Sequence, residues 1–177
     1  LTEKTRKTQL YDVHKQTSKL TVFAGFEMPL WFKGIIPEHL AVRNSVGIFD
    51  ISHMGRVIIT GVDSEHFLNY VITNDVSVLS PNSAQYSVMC NENGGIIDDF
   101  VIYRLEKEKF MMVSNATNRE KDYNWLVRNA KGFNVKIEEI SDNVAMFAVQ
   151  GPNAEKTLQK ISTEDLGRIE RFKCEST

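Results

Sequence analysis

Two adjacent aspartates, Asp98 and Asp99, stand inside the apolar run IIDDFVIYRL (96–105). Strands disfavour Asp, and a carboxylate turned toward a core costs free energy unless a partner or a chemical task awaits it. Successive side chains on a strand face opposite ways, so one of the pair looks inward and the other toward water. Ile97, Asp99, Val101 and Tyr103 share one face, and Ile96, Asp98, Phe100 and Ile102 the other. Both faces are mostly apolar, so composition leaves open which aspartate is inward. It also leaves open the plainer alternative of two solvated acids near a hairpin end.

Other candidates surround this pair. Tyr86 and Tyr103 fall on strands expected to pair, either as packed rings or as a wall for a flat aromatic ligand. Asn115 ends a strand, where it is either a turn residue or an amide that both donates to and accepts from a heterocycle edge. In FDISHMG (49–55), His53 is a structural histidine or a base, and Met54 is core or a partner for an aromatic face. No Ser–His–Asp or Cys–His arrangement has supporting context. From the residues alone, the site is a small-ligand wall with one inward acid.

These residues need elements to hold them. RVIITGV (56–62) is β-rich, and Asp63 is a candidate cap for a helix through EHFLNYVI. AQYSVMCN (84–91) and IIDDFVIYRL are strands joined by the turn ENGG, and KFMMVSN (109–115) is another. Thr117 and Glu120 form a capping-box pattern for a helix whose Tyr123, Leu126, Val127 and Ala130 line one face. FNVKIEEI and NVAMFAVQG follow as strands, and PNAEKTLQKI as a short helix. Upstream, FAGFEMPLWFKG (23–34) has no clear period and reads as an irregular packed loop. Pro37 is expected to open a helix that stops at Gly47. The order β-α-β-β-β-α-β-β-α predicts an α+β fold, an antiparallel sheet with helices around a split β-α-β, ferredoxin-like core. No Gly-rich phosphate loop is present.

The chain has 177 residues, 42% hydrophobic and 25% charged, with a formal net charge of −2. Near-balanced charge gives no electrostatic reason to expect nucleic acid or an anionic membrane. No apolar run approaches the roughly 20 residues of a membrane span. The start lacks the apolar centre of a secretory signal. His14, His39, His53 and His66 fit no zinc spacing, so no metal is expected. Cys90 and Cys174 are expected as free thiols in a reducing, cytoplasmic setting. The initial Leu and the abrupt end RFKCEST suggest a segment of a longer chain.

Several strings together resemble the aminomethyltransferase, or T-protein, of the glycine cleavage system: GFEMPLWF, AVRNSVGIFDISHMG, VITND, YSVMCNENGGIIDDFVIYR, VSNATNREKD and AVQGPNA. All six occur in the family's order. The resemblance spans essentially the whole chain and matches the N-terminal half of a family whose members are about twice this long. It implies 1–50 as a segment of a shared domain, 51–140 as a ferredoxin-like folate-binding domain, and 141–177 as the start of the next domain.

The resemblance also implies a reaction. The family takes the aminomethyl group on the lipoyl arm of H-protein, releases ammonia and passes the carbon to tetrahydrofolate. The products are 5,10-methylenetetrahydrofolate and dihydrolipoyl H-protein. Asp99 matches the family's catalytic acid, read as the inward carboxylate, and Met54, Tyr86, Tyr103 and Asn115 match positions lining the folate pocket. An anion there stabilises an iminium-like electrophile and relays the proton lost by the attacking nitrogen. Further site residues are expected beyond Thr177, so this segment alone is expected to be inactive. Two relatives of the same fold are the rival readings: an accessory protein of iron–sulfur assembly or RNA modification, and the folate portion of a dimethylglycine- or sarcosine-oxidising enzyme.

Overall fold

The computed structural model describes residues 5–175; the outermost residues of the first and last expected segments, 1–4 and 176–177, lie outside that range. Two compact units form. One combines 5–53 with Asp142–Arg168, and the other combines Met54–Ser141 with the residues from Ile169 onward.

The first unit opens with β1 (Arg6–Lys7), α1 (Tyr11–Thr17), β2 (Lys19–Phe23), β3 (Phe26–Trp31), α2 (Ile35–Asn44) and β4 (Gly47–Asp50). The stretch expected as an irregular loop is a β2–β3 hairpin instead. Ala24 and Gly25 make its two-residue turn with φ of 48° and 78°, the positive-φ geometry whose twist matches paired strands. Helix α2 also differs from expectation: it starts at Ile35, so Pro37 is its third residue, and it ends at Asn44. Proline is tolerated there because first-turn N–H groups have no helical acceptor. Glu38 turns back onto the segment that leads into the helix, its Oε1 accepting from the backbone N–H of Phe32 at 2.7 Å, of Lys33, and of Gly34 at 3.0 Å.

The second unit contains β5 (Gly55–Thr60), α3 (Ser64–Val71), β6 (Ser83–Cys90), β7 (Ile96–Glu106), β8 (Lys109–Ser114), α4 (Arg119–Asn129) and β9 (Lys136–Glu139). The strands form one antiparallel sheet in the order β6-β7-β8-β5-β9. Strands β9, β5, β8 and β7, with α3 after β5 and α4 before β9, make the split β-α-β pattern, and β6 adds an outer strand. The fold is the α+β arrangement the sequence led us to expect.

One face of this sheet carries the core. Val57, Ile59, Met89, Phe100, Ile102, Phe110 and Met112 pack with Phe67, Leu68 and Val71 of α3 and Leu126 of α4. Burial of each such large side chain contributes about 1.5–3 kcal/mol. The helices enter it without the expected caps. Asp63 has no capping bond to α3, and its carboxylate accepts from the Asn134 N–H at 2.7 Å instead. The Thr117–Glu120 box does not form either, because Ala116–Asn118 is a 3₁₀ turn that leads into α4. The buried stripe of α4 is Arg119, Asp122 and Leu126, while Val127 is exposed.

After Ser141 the chain contributes β10 (Phe147–Gln150) and α5 (Ala154–Leu158) to the first unit. There β10 pairs antiparallel with β4, and Gly151 passes close to the α2 terminus. A Cβ on Gly151 would come 2.4 Å from the Ser45 carbonyl oxygen, so the φ of 122° and the tight approach both require glycine.

Candidate functional site

The face of the second unit's sheet opposite its core carries the candidate residues in ordered rows. Asp99 pairs with Val88, and one residue past the pairs Gly55–Ser114 and Phe100–Ser114 lie Met54 and Asn115. Met54, Asn115, Asp99 and Val88 therefore run across the sheet in one line. The next line on the same face is Arg56, Val113, Val101 and Tyr86, and the third is Ile58, Met111, Tyr103 and Ala84. Tyr86, Asp99 and Tyr103 share this face, and Met54 and Asn115 continue its first row just beyond the ends of β5 and β8. Tyr86 is 50% exposed, and Asp99 and Tyr103 are half-buried.

The inward acid is Asp98, not Asp99. Asp98 is buried on the core face beside Phe100 and Ile102, whereas Asp99 lies on the opposite face with Tyr103. The reading of Asp99 as the inward carboxylate is thus corrected: strict alternation along β7 gives the helix-covered face to Asp98. What the face offers a ligand is the half-buried Asp99, held by Asn115.

Asn115 joins the two faces. Its Nδ2 donates to Asp98 Oδ1 at 3.1 Å, to Asp99 Oδ1 at 3.2 Å and to the Asp99 carbonyl at 3.2 Å. Asn118 Nδ2 donates to the same Asp98 Oδ1 at 2.8 Å. One turn along α4, Asp122 is fully buried beside Asp98, and Asp98 Oδ2 and both Asp122 carboxyl oxygens have no donor among the surrounding groups, so a proton held between the two acids is what satisfies them. Burial pushes the Asp98 carboxyl up, but hydrogen bonds from Asp122, Asn115, Asn118 and the Asp99 backbone outweigh it and hold Asp98 below its ordinary value. Burial, followed by the hydrogen bond and charge of Asp98, pushes Asp122 up to about 8, against the Lys121 ammonium and the Ser114 hydroxyl. Two buried carboxyls in contact cannot both ionise cheaply, so the pair holds one proton at neutral pH.

Met54 has its own support. Arg56, 2% exposed, donates through Nη1 to the Met54 carbonyl at 2.7 Å and through Nη2 to the Ser141 carbonyl. Ser141 Oγ accepts from the Arg56 N–H at 2.7 Å and donates to Glu139, which pairs with Arg119 at 2.9 Å. Gly55 lets this arrangement close, since a Cβ there would meet Ser114 Oγ at 2.5 Å. On the far row, burial and then the nearby Cys174 push the Tyr103 phenol up, which keeps it a neutral hydrogen-bonding ring.

Sequence reasoning missed Asp122, Asn118 and Arg56. Asp122 had a signal: it lies four residues before Leu126 on the helix stripe, where a core residue is expected. Asn118 and Arg56 had none, since both act through contacts distant in sequence. A hollow in the second unit, lined by Asn91, Ile96, Ile97, Lys121, Asn124, Trp125 and Arg128, includes none of the five candidates. Its lining holds two amides and two cations but no carboxylate. Among the described residues, no group of three or more His, Cys, Asp or Glu side chains converges as a metal site. No helix among them is long and apolar enough to cross a membrane.

An antiparallel split β-α-β sheet, with helices on one face and a row of acid, amide, thioether and phenol groups on the other, defines an α+β class of domain. The chain belongs to the GCVT N-terminal domain family, whose pattern matches residues 10–175. It is 48% identical over 168 residues to the aminomethyltransferase of Caldanaerobacter subterraneus, covering 94% of this chain and 45% of that protein. It is 50% identical over 163 residues to the aminomethyltransferase of Thermosipho melanesiensis, covering 92% and 45%. The crystal structure of the glycine cleavage system aminomethyltransferase T from Bartonella henselae superposes with a TM-score of 0.87 at 32% identity, covering 96% of this chain and 47% of that one. A heterotetrameric sarcosine oxidase from a Corynebacterium species shares the fold alone, with a TM-score of 0.51 at 13% identity. The chain spans about half the length of the curated relatives it matches.

Proposed function

We propose that the complete protein is the aminomethyltransferase of a glycine cleavage system. It takes the aminomethyl group from the lipoyl arm of H-protein, releases ammonia and transfers the carbon to tetrahydrofolate. The products are 5,10-methylenetetrahydrofolate and dihydrolipoyl H-protein. The observation that carries this reading is the single row Met54, Asn115 and Asp99 on one sheet face, in a chain nearly half identical to named aminomethyltransferases. On this reading the unit Met54–Ser141 is the folate-binding domain and its partners are H-protein and tetrahydrofolate, with neither nucleic acid nor a membrane involved. The setting is the cytoplasm.

Each residue then has a task. Tyr86 and Tyr103 give a flat heterocycle two ring surfaces, and Met54 offers a polarisable contact at its edge. Asn115 presents its Oδ1 to a ligand N–H, because both of its N–H groups are taken by carboxyl and carbonyl oxygens. Asp99 faces the attacking folate nitrogen. Its carboxylate stabilises the cationic, thionium-like carbon left on the lipoyl sulfur as ammonia departs, and it accepts the proton the attacking nitrogen sheds; the second folate nitrogen then displaces the lipoyl sulfur, its proton passing to the departing thiolate to give dihydrolipoyl H-protein. Tetrahydrofolate is the acceptor substrate, and no step calls for a metal.

The test is to mix the complete protein with aminomethylated H-protein and follow ammonia with and without tetrahydrofolate. Folate-stimulated ammonia release is the expected result, and its absence counts decisively against the reading.

A further inference from the structure

The Asp98–Asp122 pair lies on the core side of the sheet and reaches the opposite face only through Asn115. Both carboxyls are buried, Asp98 at 6% exposure and Asp122 at 0%. Such burial is costly, and an apolar pair would pack the same space more cheaply. Asp98 Oδ1 is also the oxygen on which the Asn115 and Asn118 amides converge. The buried pair and the ligand face are therefore joined by one side chain, Asn115.

We propose that Asp98 and Asp122 are positioning residues that share one proton and fix the amide of Asn115, with Asp99 beside it, in the orientation a ligand N–H requires. The chemistry follows from the donor count. An ionised Asp98 demands donors, so the Asn115 NH₂ turns inward and its Oδ1 turns out to the face. The proton on Asp122 donates to Asp98 and lets the two acids lie together. Loss of that proton leaves two anions in contact, which drives the acids apart and releases Asn115. As Asp122 is pushed up to about 8, this loss falls in the alkaline range.

Few other charges act on the pair. From α4, Lys121 opposes the retention of the proton, and Arg119 is paired with Glu139 of β9. From β7 itself, Asp99 adds a like charge on the opposite face. Strands β6 and β8 present Met89 and Ser114 to the pair, neither of which titrates.

This inference rests on the proposed folate site, and two measurements on the complete protein separate their fates. The first is tetrahydrofolate affinity at about pH 7 and pH 9 in wild type and Asp122→Asn, whose amide supplies the donor without a titrating proton. Wild-type molecules lose the shared proton toward the higher pH, so the dissociation constant should rise several-fold there and stay nearly level in the variant. An equal pH ratio in the two proteins overturns the proposal. The second needs no folate: the NMR signals of the Asn115 side-chain amide should shift with the Asp122 carboxyl titration and stay still in Asp122→Asn. Amide signals that ignore that titration also overturn it. If tetrahydrofolate fails to bind at either pH while the amide follows the carboxyl, the folate reading fails and the positioning stands.

Discussion

Asp98 and Asp99 are consecutive on β7 and face opposite sides of the sheet, yet one amide, that of Asn115, holds both carboxylates at 3.1 and 3.2 Å. The buried acid and the ligand-facing acid are thus parts of one construction. Its consequences reach binding, stability and the reaction.

Removing the amide should weaken folate binding. Asn115→Ala deletes the ligand acceptor and the donor shared by Asp98 and Asp99, so the tetrahydrofolate dissociation constant should rise about tenfold. Asn115→Asp should be worse, because it adds a third carboxylate to two already in contact. Equilibrium titration of the complete proteins checks both, and wild-type affinity in Asn115→Asp would contradict the arrangement.

The buried proton makes stability fall with pH in a defined window. The folded-state pKa of Asp122 lies above the ordinary unfolded value, so its contribution is fully present below about pH 4. It declines as pH rises toward the folded value of about 8. Asp98, held low, contributes in the opposite sense: its stabilisation is present above the ordinary carboxylate value and is lost as pH falls through its folded value. Urea midpoints between about pH 5 and pH 9 should therefore fall less steeply in Asp122→Asn than in wild type. Parallel curves would show that Asp122 is not carrying the proton.

Gly55 should tolerate no side chain. A Cβ would sit 2.5 Å from Ser114 Oγ and 2.9 Å from Arg119 Cγ, so Gly55→Ala should cost about 1–3 kcal/mol. Ser114→Ala in the same protein removes the closer clash and should recover part of that loss. Thermal or urea unfolding of the two variants measures both effects.

Much of this architecture was legible from local pattern. The element order from β5 to α5 follows from alternation in strands and turn chemistry at ENGG, because each signal lies within a few residues. The β2–β3 hairpin escaped notice because Ala24 adopts a conformation usually left to glycine and asparagine. The caps at Asp63 and Thr117 failed because tertiary partners, Asn134 for one and a 3₁₀ turn for the other, replaced the local bonds. Alternation stated that Asp98 and Asp99 diverge, but only the position of the helices tells which of them is covered. The role of Asp122 depends on a contact between α4 and β7 that no short window contains.

The central claim is that Asp99, half-buried on the face opposite the helices and steadied by Asn115, serves the transfer and not merely the binding of folate. Folate-dependent ammonia release from aminomethylated H-protein, measured for the complete wild-type protein and Asp99→Asn at saturating tetrahydrofolate, tests it most directly. The account predicts a rate lower by about a hundredfold or more in the variant, with folate still bound. A variant that binds folate and releases ammonia at the wild-type rate would contradict it.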